Sequence, residues 1–266
     1  MLIRELPLDK YLPKKGKLAK AMRYSLFAGG KRLRPLLCLA TAKALGCKEQ
    51  KVLPFACAVE MIHTFTLIHD DLPAMDNSDL RRGKPTCHKV FGEDIAILAG
   101  DALNTLAFKI IADYPAAAKE LASALLEVVE GQVEDISSAG KKLALKQLKS
   151  IHAKKTAALL LACVRGTALI CGAAPAKIKA LTGYAEHLGL AFQIADDILD
   201  ATSTRKRLGK PVGADIKKGF PYLIGIEKSK QLAEVERQKA VDALRILGKD
   251  ADGLKAIAAF VVERRK

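Results

Sequence analysis

Two stretches of this 266-residue chain each crowd three carboxylates into a short, otherwise apolar span: His69-Asp70-Asp71-Leu72-Pro73-Ala74-Met75-Asp76 and Gln193-Ile194-Ala195-Asp196-Asp197-Ile198-Leu199-Asp200. Like charges that close repel, so a fold keeps them only beside a compensating cation. Hard carboxylate oxygens suit Mg²⁺, which binds through one or two carboxylates together with substrate phosphates. In a chain of net charge +15, two such clusters point to a metal-bridged diphosphate site.

The two clusters differ in how a helix would present them. Gln193, Asp196, Asp197 and Asp200 recur at three- and four-residue steps and share one helical stripe, while Leu188, Phe192, Ala195 and Leu199 form an apolar stripe. Asp76 follows Asp70 by six residues, a rotation of about 600° that carries it off the Asp70 face of an unbroken helix. Pro73 disfavours helix at Leu72 and lacks an N–H, so the helix must bulge or end there for Asp76 to return. The bland alternative is that Asp76-Asn77-Ser78-Asp79 is a polar turn or cap. His63 and Thr66 share a face with Asp70 and point the same way along the expected helix.

Basic residues flank the first cluster. Arg81 and Arg82 in Leu80-Arg81-Arg82-Gly83-Lys84-Pro85-Thr86 suit bidentate bonds to two different phosphates. Gly29-Gly30 precedes Lys31, Arg32 and Arg34, and glycine permits close backbone approach to an anion. The spacing is not that of a nucleotide P-loop. Lys155-Thr156 open an apolar helix, where a lysine either reaches a site or snorkels to solvent.

The elements that must hold these residues read as helices almost throughout: 17–28, 33–46, 49–71, 88–112, 115–138, 143–171, 176–203, 228–247 and 251–264. Gly29-Gly30, Gly46, Gly83-Lys84-Pro85, Tyr114-Pro115, Gly140, Cys171-Gly172 and Gly209-Lys210-Pro211 punctuate them. No useful strand alternation, linker or repeat is present, so one all-α domain over 1–266 is expected. The 44 Lys+Arg against 29 Asp+Glu are scattered rather than gathered into a stripe, which argues against a nucleic-acid partner. Six cysteines without CxxC or Cys/His spacing fit a reducing cytoplasm. No apolar run reaches the roughly 18 residues of a membrane span.

Together the segments Gly29–Pro35, Ile62–Asp76, Leu80–Thr86, Gly131-Gln132, Lys155-Thr156, Phe192–Asp200 and Leu208–Asp215 resemble the short-chain trans-polyprenyl diphosphate synthases, the farnesyl and geranylgeranyl diphosphate synthases. The resemblance implies an all-α, single-domain helical bundle of the isoprenoid synthase type with a central cavity, and a homodimer, for which 88–112 is a candidate interface. It implies that Asp70, Asp76 and Asp196, with Asp71 and Asp200 in support, hold Mg²⁺, three ions in all, on an allylic diphosphate. Arg81, Lys155, Thr156, Gln193 and Lys210 would contact that diphosphate. Gly30, Lys31, Arg34, His63 and Arg82 would hold isopentenyl diphosphate.

The reaction so implied is head-to-tail (1′-4) condensation. Phe65, five residues before Asp70, would close the floor of the cavity and favour farnesyl over geranylgeranyl diphosphate. The family's usual Gly-Lys-x-Thr-Tyr-Pro is shortened here to Asp215-Ile216-Lys217-Lys218-Gly219-Phe220-Pro221, and its Gly-Gly-Gln reads Glu130-Gly131-Gln132. Rival readings are a non-catalytic subunit, disfavoured because both aspartate motifs are intact, and a terpene cyclase, which needs no second diphosphate site.

Overall fold

The structure, a computed structural model, describes residues 6–138, 140–141, 143–202 and 219–264. Its helices are α1 (Lys17–Leu26), α2 (Leu33–Ala44), α3 (Glu49–Asp70), α4 (Cys87–Phe91), α5 (Glu93–Ile110), α6 (Pro115–Ser137), α7 (Leu145–His152), α8 (Ala158–Ile170), α9 (Pro175–Thr202), α10 (Phe220–Ile224), α11 (Ile226–Ala243) and α12 (Asp252–Glu263). The architecture is all-α, as expected.

α3 is the axis of the bundle. Every residue from Phe55 to Ile62 is buried, and all but Glu60 are apolar, the pattern of a helix enclosed on every side. It packs against α1, α2, α5 and α8, and α9 packs against α8 and α11. Close approach needs small residues: a Cβ on Gly166 of α8 would lie 2.2 Å from the Phe55 ring. By length and composition α3 could cross a membrane, although the sequence shows no unbroken apolar run, and 61% of its most apolar window is buried inside the molecule. A smaller core of Leu148, Ile194, Phe220 and Ala233 joins α7, α9, α10 and α11.

Four expectations change. The single helix over 88–112 is two, because Gly92 breaks it at φ 97°. The helix over 143–171 is interrupted by a π turn, Ala153–Ala157. The helix expected over 228–247 spans Ile226–Ala243 and passes into a 3₁₀ turn, Arg245–Ala251. A two-residue hairpin, β1 (Leu80–Arg81) with β2 (Lys84–Pro85), pairs Leu80 with Pro85 and Arg81 with Lys84. Its turn has both Arg82 (φ 54°) and Gly83 (φ 75°) in the left-handed region, which matches the right-handed strand twist. Lys210 and the shortened segment up to Lys218 lie outside the described residues.

Candidate active site

α3 ends at Asp70, and the chain then doubles back. The Asp76 N–H donates to the Asp70 carbonyl (2.9 Å), Asn77 N–H to Leu72 O (3.0 Å) and Ser78 N–H to Asp71 O (3.1 Å). Asn77 absorbs the reversal at φ 47°. The break near Pro73 thus returns Asp76 beside Asp70. Burial pushes the Asp70 carboxyl up to about 6; Lys155 and Arg81 oppose this, Asp76 and Asp71 add to it.

Asp71 faces the other way. Only 3% exposed, it accepts two parallel bonds from Arg81, Nε to Oδ2 and Nη2 to Oδ1, both 2.7 Å. Asp71 was expected to support a metal; each of its oxygens accepts one bond from this clamp and keeps a second lone pair. Arg81 spends two of its five N–H donors on it. The hairpin that supplies Arg81 is anchored by Tyr24 Oη to Pro85 O (2.7 Å) and Thr86 Oγ1 to Ser78 O (2.8 Å).

A cationic pocket adjoins this cluster. Arg32, left-handed at φ 50° ahead of α2, bonds to the buried Glu60 and to Leu26 O. Arg82 donates to Gly29 O, and its guanidinium fills the space a Cβ on Gly30 would need, 2.6 Å away. The close approach that Gly29-Gly30 permits is thus to an arginine. Burial, then Arg34, Arg82, Arg81 and Arg32, hold His63 well below the usual imidazole range, so its ring is neutral. Burial also lowers Arg34, against the opposing fields of Cys163, Glu60 and Asp196. Its buried Nε has no hydrogen-bond partner among the described residues. Arg32 and Arg81 pair directly with Glu60 and Asp71, while Arg34 and Arg82 form no ion pair among the described residues, which leaves positive charge beside His63. That is the donor set of an anion site.

The second cluster lies inside α9. Asp196 is half-exposed and pairs with Arg264 at 2.9 Å, whose guanidinium lies 3.9 Å from the centroid of the Phe192 ring. Asp197 is tied into the fold: its Oδ1 accepts from Gln193 Nε2 (2.9 Å) and its Oδ2 from the Phe220 N–H (2.9 Å), with His152 3.5 Å away. Gln193 also accepts from Thr156 Oγ1 (3.0 Å). Asp200 follows Asp196 by four residues and is half-buried.

Between the clusters, Lys155 donates to Asp135 Oδ2 at 2.8 Å. Burial alone would lower its pKa, but Asp135, with Asp70 and Asp76, carries it above the usual value. Lys31 and Arg34 feel Asp196. Glu60, Asp135 and Arg264 escaped the sequence reading, and Asp197 was read only as a member of the acidic stripe. A glutamate inside the apolar α3 pattern could have revealed Glu60, and the four-residue step from Gly131 could have revealed Asp135; nothing marks Arg264.

Among the described residues no three His, Cys, Asp or Glu side chains close into a metal cage. The chain reversal sets Asp76 beside Asp70, and carboxylate oxygens are the donor type for a Mg²⁺ that takes its further oxygens from a bound diphosphate. Burial is the main cause of the raised Asp70 pKa, with Asp76 and Asp71 adding to it, and a cation beside the carboxylate would oppose that shift.

A family model for polyprenyl synthetase matches residues 15–261. The chain is similar to heterodimeric geranylgeranyl pyrophosphate synthase large subunit 1 of Arabidopsis thaliana, 48% identical over 271 residues that cover 94% of this chain and 72% of the relative. It is 45% identical to farnesyl diphosphate synthase of Geobacillus stearothermophilus over 278 residues, 98% of this chain and 94% of the relative. A solved polyprenyl synthase of Caulobacter crescentus, complexed with calcium and isoprenyl diphosphate, superposes with a TM-score of 0.90 at 31% identity, covering 97% of this chain and 93% of that one.

Proposed function

The chain belongs to the polyprenyl synthetase family, and from that premise we propose that it condenses isopentenyl diphosphate head to tail with dimethylallyl or geranyl diphosphate, giving farnesyl diphosphate. Prenyl transfer with Mg²⁺ is the family's chemistry. The observation that carries the two-diphosphate reading is the arginine-rich pocket around neutral His63, set directly beside the Asp70–Asp76 return. A cyclase would need no such second anion site.

In this reading Asp70, Asp76 and Asp196, with Asp200 in support, hold the Mg²⁺ ions on the allylic diphosphate. Mg²⁺, when bound, supplies the positive charge that stabilises the departing diphosphate. Lys155, Thr156, Arg81, Gln193 and Lys210 orient that diphosphate as its bond to the allylic carbon breaks. Lys31, Arg34, His63 and Arg82, beside Gly30, hold isopentenyl diphosphate so that its double bond faces the allylic cation. The condensed cation then loses a proton to the departing diphosphate. Asp71 serves as the anchor of Arg81 rather than as a ligand. We place the reaction in one domain spanning 1–266, in the cytoplasm, consistent with six free cysteines. We also propose a homodimer through α5 and α6, whose Ile97, Leu98, Leu126, Val129 and Val133 are exposed.

Phe65 supports the shorter product. It packs half-buried against the core and meets His69 edge-to-face at 5.0 Å, one turn below Asp70. Geranylgeranyl diphosphate is the second reading, favoured by the plant relatives that carry that name at 46–48% identity. Incubation with radiolabelled isopentenyl diphosphate, Mg²⁺ and each allylic primer, with chromatography of the products, decides between them. A C15 product supports the proposal, a C20 product transfers it to the second reading, and no Mg²⁺-dependent product from any primer would falsify both.

A further inference from the structure

Lys155 does not sit on regular helix. Between α7 and α8 the backbone widens into the π turn Ala153–Ala157, a form that recurs at functional sites because the extra residue turns a side chain out of helical register. This turn is seated in two glycine notches on opposite sides. A Cβ on Gly131 of α6 would lie 2.5 Å from the Lys155 backbone N and 2.8 Å from Lys154 Cβ. A Cβ on Gly189 of α9 would lie 2.3 Å from Ala157 Cβ and 2.9 Å from its Cα. Neither clash is with a flexible side-chain tip, so neither notch could be filled without moving the turn.

Polar contacts then fix its rotation. On α6, one turn after Gly131, Asp135 takes the Lys155 ammonium at 2.8 Å. Glu134 and Glu130 take Lys154 at 2.7 and 3.3 Å. On α9, Gln193 takes the Thr156 hydroxyl at 3.0 Å. The lysine is attracted to Asp70 and Asp76 as well. Without a competing carboxylate it would be drawn onto Asp70 and occupy the oxygens that a metal needs.

We propose that Asp135 is the positioning residue of Lys155, and that the Gly131 and Gly189 notches set the π turn that carries it, so that the ammonium faces the first aspartate cluster without collapsing onto it. This rests on the reading that Lys155 engages the allylic diphosphate.

The test compares Asp135→Asn, Gly131→Ala and Lys155→Ala by steady-state kinetics with each substrate varied in turn, alongside thermal melting. Asp135→Asn keeps shape and removes only charge. It is expected to raise the KM for the allylic diphosphate and the Mg²⁺ concentration for half-activity by about tenfold, the scale of one charge-assisted hydrogen bond. The KM for isopentenyl diphosphate and the melting temperature should hold. Gly131→Ala should give the same split if it folds. Asp135→Asn that leaves the allylic KM within twofold, or raises both KM values together with a loss of melting temperature, overturns the proposal. If Lys155→Ala is strongly impaired while Asp135→Asn is silent, only this proposal falls. If Lys155→Ala is itself silent, the reading of Lys155 falls and takes this proposal with it.

Discussion

Asp70-Asp71 closes a helix and Asp196-Asp197 lies inside one, yet the two pairs divide their work alike. In each, the first carboxylate is the proposed metal-holding member: Asp70 with its raised pKa, Asp196 half-exposed against Arg264. The second is tied into the fold: Asp71 by the Arg81 clamp, Asp197 by Gln193 and the Phe220 N–H. Adjacent residues on a helix point about 100° apart, which lets one of each pair serve the proposed site while its neighbour braces the segment that follows. The bracing targets are the segments that follow: Asp71 holds the hairpin after the first cluster, and Asp197 holds the start of α10, where the shortened segment after Asp215 rejoins described structure.

The comparison is broken most sharply at the proposed metal-holding members. Asp70→Ala and Asp196→Ala should each reduce turnover by about 10³-fold or more, with helical circular dichroism retained. Asp71→Ala should act through stability instead, lowering it by roughly 2–3 kcal/mol because the half-buried Arg81 is left unpaired. Asp197→Ala should cost on the order of 1–3 kcal/mol, the desolvation of an abandoned buried donor. Denaturant melts of the four variants measure this directly. If Asp71→Ala melts like the wild type and loses turnover as Asp70→Ala does, the division between metal-holding and bracing members is wrong.

A pH test sharpens the contrast within the first pair. The folded-state pKa of Asp70, about 6, lies above its ordinary value of 3.8. The metal-free protein therefore loses stability as pH rises from about 4 through 6, by roughly 3 kcal/mol at most. Asp70→Asn in the presence of a chelator should raise the melting temperature at pH 7.5 and leave it nearly unchanged at pH 4. Equal shifts at both pH values would contradict the burial account. The smallest expected change is in product length: Phe65→Ala should extend the product by one isoprene unit with little loss of rate, read by chromatography of the products. An unchanged product would remove Phe65 from the cavity floor.

Much of this was legible in the sequence where periodicity carries the signal. The stripe Gln193-Asp196-Asp197-Asp200 lies on α9 as its spacing implies, and Pro73 does mark the break that returns Asp76. What was not legible depends on partners distant in the chain or on local backbone form. Asp70 and Asp71 are the same residue type side by side, and what singles out Asp71 as the bracing member is Arg81, on a hairpin too short to show alternation. The π turn leaves the apolar pattern of 143–171 intact, so the pattern reads as one helix. Gly92 breaks another expected helix through a left-handed backbone angle, which a lone glycine does not announce. Arg264 meets Asp196 from 68 residues away, with nothing local to mark it. Glu130, where the family usually has glycine, finds its reason in Lys154, 3.3 Å away across the α6 contact.

The division within the two pairs is tested most directly by calorimetric titration of the full chain with inorganic pyrophosphate in Mg²⁺, comparing Asp70→Asn and Asp196→Asn with Asp71→Asn and Asp197→Asn at a temperature where all four are folded. The account predicts that Mg²⁺-dependent pyrophosphate binding is lost in the first two and kept within a few-fold in the second two. Loss in Asp71→Asn or Asp197→Asn equal to that in Asp70→Asn and Asp196→Asn would contradict it.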